Sequence, residues 1–308
     1  MTVLTPEAVR QLAALATEAA DDRLADLDTR SVADLATVMN QADAGVPAAV
    51  ERALPQLVPA IEAAADRMAA GGRLVYIGAG TPGRLAILDA SECPPTFSTP
   101  PGQVFAIMAG GATAFVTPRE GAEDDAGAGR AAVDDADIGP LDTVVGIASS
   151  GRTPYVVAAV QRARERGALT VGLSCNPDTA LSAAAEHAVE VLVGPEVISG
   201  STRLKAGTAQ KLVLNMFSTI VMIRLGKTYG NLMVDVRASN DKLRERAVRI
   251  VSTISGAPRE AATAALQSSG WSVKPAVLQL VSHIDPEEAD RRLARAGGRL
   301  RAALEARS

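Results

Sequence analysis

Aromatic side chains are nearly missing from this chain. Phe, Trp and Tyr supply only 3% of its 308 residues, so any core must be aliphatic, built from Ala, Val, Leu and Ile. Positive charge is not in excess either. Lys and Arg number 31 against 35 Asp and Glu, a formal net charge of −4, and no stretch interleaves basic with aromatic residues. That excludes the electrostatic footprint of a nucleic-acid binder. An anionic ligand would have to be held by local donors, not drawn in by net charge. There are two cysteines, Cys93 and Cys175. They are too few for a disulfide framework and are not spaced as a CxxC metal pair, so they read as small apolar filler in a reducing compartment. Long apolar runs are lacking too. The longest, 212–223, is interrupted by Asn215, Ser218 and Thr219 and is too short to span a bilayer, which predicts a buried helix. The opening MTVLTPEAVRQL has no basic segment followed by an apolar one, so no signal peptide is expected. With 47% hydrophobic and 21% charged residues, a soluble cytoplasmic protein of about two domains is the expectation.

What is present is an alternation of short apolar runs with helical segments. Strands are predicted over 74–77, 104–108, 143–148, 169–173 and 189–193, and helices over 84–91, 123–135, 154–166 and 201–225. Continuous apolar strands alternating with helices predict a parallel sheet covered on both faces. Before them, 1–45 reads as a helical arm. A helix over 48–70 ends at Gly71-Gly72, and Pro55 and Pro59 inside it predict a kink or a split. Beyond residue 230 the alternation stops, and helices are predicted over 242–251, 259–267, 274–281 and 286–304, with Trp271 and Ile284 as packing residues. The expected organisation is an arm at 1–45, an α/β domain at 46–230 and a small helical domain at 231–308.

Two strand-end turns carry the chemistry. Gly78-Ala79-Gly80-Thr81-Pro82 follows the first strand. Thr81 is placed to cap a helix that starts at Pro82, where proline loses no needed hydrogen bond. Ala148-Ser149-Ser150-Gly151-Arg152-Thr153-Pro154 follows the third strand and offers three hydroxyls. Either loop alone is an ordinary tight turn. Together, at the carboxyl end of one sheet, they predict a phosphate cradle. No GxGxxG or Walker lysine pattern occurs, which disfavours a dinucleotide or ATP. The helix after the first turn is expected to stop by Cys93, because Pro94 and Pro95 follow. That would leave Glu92 at a helix end, where the dipole disfavours an acid. Glu123 opens the run Glu123-Asp124-Asp125, which by itself suits any helix N-terminus. Ser199 to Thr202 reads from spacing as a helix cap, with Lys205 one turn on.

At Ser91-Glu92-Cys93-Pro94-Pro95-Thr96 the sequence stops being generic. Together with the GAGT and GRL segments around Gly80, EGAED at 120–124, SGRTPY at 150–155, GSTRLKAGTAQKLVLNM at 200–216 and GNLMVDV at 230–236, it closely resembles the N-acetylmuramic acid 6-phosphate etherases. The resemblance runs from about residue 46 to the C-terminus. It implies a three-layer SIS-type (sugar isomerase) α/β fold with a C-terminal helical appendage. It also implies a homodimeric lyase that needs no metal or organic cofactor. Such an enzyme removes D-lactate from the C3 ether of N-acetylmuramate 6-phosphate and leaves N-acetylglucosamine 6-phosphate. The family's catalytic glutamates carry over onto Glu92 and Glu123. Gly80, Thr81, Ser149, Ser150, Gly151 and Thr153 would hold the phosphate, and Ser201, Thr202 and Lys205 the sugar or the lactyl carboxylate. The chemistry agrees. Cleaving an ether beta to a latent aldehyde needs a base at C2 and an acid at the leaving oxygen, which two carboxyls in different environments can divide.

Some positions depart from the family. Pro82 stands where serine is usual, removing a hydroxyl and an N–H from the phosphate turn. Asp21 and Asp34 stand where relatives often carry Asn and Glu. The rivals are a non-catalytic SIS-type sugar-phosphate sensor and an aldose–ketose isomerase or deaminase on the same fold. The second would leave the Glu92 and Glu123 motifs unexplained, and the isolation of His187 and His283 argues against a histidine-based isomerase.

Overall fold

The computed structural model describes residues 15–117 and 119–306; the first part of the expected N-terminal helical arm lies outside them. The chain divides into two compact units, one drawn from residues up to Ser91 and Gly102–Phe217, the other from Glu92–Pro101 and 218–308.

In the first unit five strands, β1 (Leu74–Gly78), β2 (Val104–Met108), β3 (Thr143–Ile147), β4 (Leu169–Ser174) and β5 (His187–Glu190), form one sheet in the order β2-β1-β3-β4-β5. Every pairing is parallel. β1, β3 and β4 are buried at every residue, which is why they appear in the sequence as unbroken apolar runs. Helices α1 (Val32–Ala44) and α2 (Val46–Ala69) precede the sheet. They are followed by α3 (Gly80–Phe97), α4 (Ala126–Asp135), α5 (Pro154–Glu165), the short α6 (Ala180–Ala184) and α7 (Lys205–Arg224). Because side chains alternate along a strand, Val75 and Ile77 enter a core with Val133 of α4, Val156 and Val160 of α5 and Leu181 of α6. Tyr76 points the other way, and its hydroxyl donates to Asp89 Oδ2 of α3 at 2.8 Å. Asn215 Nδ2 of α7 donates to the other oxygen of the same carboxylate at 2.8 Å. The sheet is thus the middle of three layers.

Several expected boundaries move. α3 does not stop at Cys93 but continues to Phe97. A proline forfeits one N–H bond and crowds one carbonyl, and two of them in a final turn end a helix only after the residues they start have coiled. The N–H of Ser98 still reaches Pro94 O at 3.0 Å. Glu92 therefore lies inside the helix, not at its end. α2 is neither split nor shortened by Pro55 and Pro59. Both are exposed and one turn apart, so the carbonyls they release face water. The expected 123–135 helix is two pieces, a 3-10 turn (Ala122–Asp124) and then α4, capped by Asp125, whose Oδ1 accepts from Ala128 N. β5 sits two residues earlier than expected, and α7 starts at Lys205, not at Ser201.

α7 is the one helix among the described residues that is long and apolar enough to cross a membrane by length and composition. Its Gln210 is fully buried and hydrogen-bonded to Ser149, so it serves here as a core helix. At the amino ends of β1 and β3, Asp142 accepts both Nε and Nη2 of Arg73, at 3.0 and 2.6 Å, and the N–H groups of Arg73 and Gly139. Burial raises the Asp142 carboxyl, but these hydrogen bonds outweigh it and hold it below its ordinary value. A depressed carboxylate contributes stability above its unfolded pKa and loses it as pH falls through the folded one. Asp142→Asn is expected to cost about 3 kcal/mol at neutral pH, with the difference from wild type closing in urea melts as the pH is lowered below about 4.

The second unit contains α8 (Asp241–Ser255), α9 (Arg259–Ser268), α10 (Val273–Ser282), α11 (Pro286–Arg295) and α12 (Leu300–Glu305). The expected last helix over 286–304 is broken at Gly297 and Gly298, both at positive φ. Val251, Leu266, Val277, Leu278 and Leu300 form its core, against which Trp271 and Ile284 pack. Its buried Lys274 ammonium bonds Asp235 Oδ2 at 2.6 Å and Gly298 O at 2.7 Å. His283 is the left-handed C-cap of α10, a structural post.

Candidate active site

The sheet order places the topological switch point between β1 and β3, since the chain leaves β1 to one side for β2 and returns to the other for β3. Loops after those two strands separate there and leave a crevice at the carboxyl edge, where open α/β sheets bind ligands. A cavity of about 380 Å³ lies at this point, lined by Gly80, Thr81 and Pro82 from the first loop and by Ser149, Ser150 and Thr153 from the second.

Each loop is shaped by glycine. Gly80 has φ +59 and Gly151 φ +66, a region other residues adopt only with strain. A Cβ at Gly151 would also fall 2.3 Å from Thr179 Cβ. Gly83 lets the start of α3 approach the end of β1: a Cβ there would lie 2.9 Å from Gly78 O. α3 begins at Gly80, two residues before Pro82, so the proline sits in the first turn, where its missing N–H breaks no helical bond. Thr153 at the N-cap of α5 makes no side-chain capping bond, which leaves its hydroxyl for a ligand. The N-termini of two long helices, α3 and α5, therefore face one cavity with their positive dipole ends.

Ser149 is the best anchored of these residues. It is 5% exposed, its Oγ accepts Gln210 Nε2 at 2.9 Å, and its carbonyl accepts Asn176 Nδ2 and Cys175 N. With its oxygen already accepting, the hydroxyl proton is free to donate toward the cavity. Burial, with the charge of Glu196 added, pushes the Cys175 thiol up to about 12. It stays protonated and inert, as filler should.

The cavity also has an acidic part. Glu123 and Asp124 line it on their own 3-10 turn. Because Asp125 caps α4, Glu123 is not needed there as a helix-start acid. Glu18 also lines the cavity, and no motif in the sequence pointed to it. Its segment is drawn in by long-range bonds: Asn176 Nδ2 to Thr17 Oγ1 at 3.0 Å, Ala16 N to Asn176 Oδ1 at 2.8 Å and Ser199 Oγ to Glu18 O at 2.8 Å. Such contacts, 159 to 181 residues apart in the chain, leave no local trace. The nearby Asp21 turns to Arg23 instead, whose hydrogen bonds lower its carboxyl to about 2.

Not every expected residue reaches the cavity. Thr202 lines it; Ser201, Gly151 and Lys205 do not. Gly151 acts through the shape of its loop. The Lys205 ammonium donates to Val193 O at 2.9 Å. The start of α7 is satisfied not by Ser199–Thr202 but by the buried carboxylate of Glu196, which accepts from Lys205 N and Ala206 N, both at 2.9 Å. Glu92 is exposed on α3 and is not among the lining residues. No group of His, Cys, Asp and Glu fit to hold a metal occurs among the described residues.

Comparison with known proteins agrees with this geometry. The chain matches the glucokinase regulatory protein N-terminal SIS domain over residues 56–164, the SIS domain over 126–220 and the C-terminal lid domain of glucokinase regulatory protein over 230–296. It is 58% identical to the N-acetylmuramic acid 6-phosphate etherase of Streptomyces coelicolor, over 98% of this chain and 97% of that one. The chain belongs to the N-acetylmuramic acid 6-phosphate etherase family. Relatives of the same name in Rubrobacter xylanophilus and Serratia proteamaculans are 57% and 51% identical, covering 96% and 95% of this chain. The fold is SIS-type, as expected.

Proposed function

We propose that this etherase-family chain removes D-lactate from N-acetylmuramate 6-phosphate by elimination followed by addition of water. The phosphate lies on Thr81, Ser149, Ser150 and Thr153 at the two helix N-termini, and the sugar extends toward the acidic rim. In the open-chain aldehyde, Glu123 takes the proton from C2. The C3–O bond breaks, and the departing lactyl oxygen collects a proton from the second carboxyl, Glu92; water then adds at C3, giving its proton to Glu92, while Glu123 returns the first proton to C2. The product is N-acetylglucosamine 6-phosphate, and the sum of the steps is hydrolysis with no oxidant or reductant.

The observation that carries this reading is that Glu123 lines the same cavity as the hydroxyl and N–H donors, in a chain 98% of which is matched by an etherase. A purely sensing regulator is supported only at the level of separate domains and gives Glu123 no task. We assign Glu92 to a neighbouring site across the interface of a homodimer, acting in a cytoplasmic protein. The direct test is to incubate the purified chain with N-acetylmuramate 6-phosphate and assay lactate. Absence of lactate under conditions where the sugar phosphate binds would leave the sensor reading in its place.

Pro82 supports a further expectation. It lines the cavity and contributes neither N–H nor hydroxyl. Restoring a donor to a doubly charged phosphate is worth about 1.5–3 kcal/mol. Pro82→Ser should therefore lower KM roughly tenfold, and an unchanged KM would show that the turn already saturates the phosphate.

A further inference from the structure

A second cavity of about 250 Å³ adjoins the first and shares Ala79, Gly80 and Glu123 with it. Its wall carries two guanidinium groups, Arg84 and Arg119, together with Glu120. Arg84 lies one turn into α3. Its Nε donates to Phe115 O at 2.8 Å and its Nη2 to Ala114 O at 2.9 Å. Those two bonds fix the plane of the fork and use two of its five N–H donors. Arg119 is held by one long bond, Nη1 to Gly110 O at 3.3 Å.

We infer that this side cavity is a carboxylate site, with Arg84 and Arg119 receiving the lactyl carboxylate of the substrate. The inference rests on the etherase reading and deepens it. The two cavities meet along Ala79, Gly80 and Glu123, of which Glu123 alone carries an ionisable side chain, so a sugar whose phosphate sits on the strand-end turns enters the side cavity beside Glu123. The C3 substituent would then enter the side cavity, with the bond to be broken beside that carboxyl. The substrate brings a second anion that other phosphorylated sugars lack, and Lys205, expected from the sequence to meet it, lines neither cavity. A fixed guanidinium is the group best matched to a carboxylate.

The test compares two ligands differing only in the lactyl group, N-acetylmuramate 6-phosphate and N-acetylglucosamine 6-phosphate. In Arg84→Met the KM for the first should rise about ten- to hundredfold, while the Kd for the second, by calorimetry, stays within about twofold. Arg119→Met, which gives up only one long hydrogen bond, should show the same split with a smaller rise and serves where the Arg84 variant folds poorly. If both ligands weaken in parallel, Arg84 is merely a clamp on the loop at Ala114 and Phe115, and the assignment fails. It also fails if neither ligand is affected in either variant. Should the wild type release no lactate, the etherase reading falls separately. Calorimetric Kd values for both ligands, measured in wild type and variants with no turnover, would still decide the carboxylate site.

Discussion

Glu123→Gln should slow lactate release by about 100- to 10,000-fold with little change in KM. The amide keeps the size of the side chain and loses only its capacity to carry a proton. Glu123 stands on a 3-10 turn outside the capped helix that follows, so the substitution removes no helix cap, and the melting temperature should hold. A loss of affinity with kcat intact would instead make Glu123 a binding residue. The same variant decides where Glu92 acts. If the two carboxyls come from different subunits, mixing Glu123→Gln with Glu92→Gln creates hybrid dimers in which one site has both acids intact. Activity should then recover to about a quarter of wild type after subunit exchange. If both acids belong to one chain, every site in the mixture stays damaged and no activity returns. Near-normal turnover by either single variant would remove that residue from the mechanism.

Glu196→Ala is expected to be the most destabilising single change near the site. Glu196 is 1% exposed, and both of its oxygens are occupied by the first N–H groups of α7. Truncation leaves two N–H donors without partners, Ala206 being fully buried, and removes a negative charge from the positive end of a 20-residue helix. A cost of about 3 kcal/mol follows, which for a chain of this size lowers the melting temperature by roughly 4–6 °C. Glu196→Gln keeps one acceptor and should lose less than half of that. Because α7 carries Gln210, whose amide holds Ser149, the alanine variant should also bind sugar phosphate more weakly. A melting temperature within about 1 °C of wild type would mean that water caps α7 equally well.

Both predictions concern carboxylates whose roles the chain discloses to different degrees. Glu123 sits inside the contiguous run Glu120-Gly121-Ala122-Glu123-Asp124, so the resemblance can single it out in one dimension. Glu196 has no motif. Its partners are nine and ten residues away, across a loop whose path no local rule fixes, while the Ser and Thr residues in between look like better caps than they prove to be. The same contrast holds for the strands. Those buried on both faces are legible to within a residue or so, because the sheet environment favours apolar residues along the whole strand. β5, at the edge and only partly buried, was misplaced by two.

By itself the sequence determined the parallel sheet, the two glycine-bearing strand-end turns and the family, because each is written in contiguous residues: apolar runs, glycines that permit positive φ, and long motifs. Only the tertiary structure decided which side chains share a cavity. It brought Glu18 to the rim through Asn176, withdrew Lys205 to a backbone carbonyl, and opened beside Glu123 a second chamber flanked by Arg84 and Arg119. These outcomes turn on hydrogen bonds between distant segments, and a bond of that kind leaves no periodicity or spacing for a linear reading to detect.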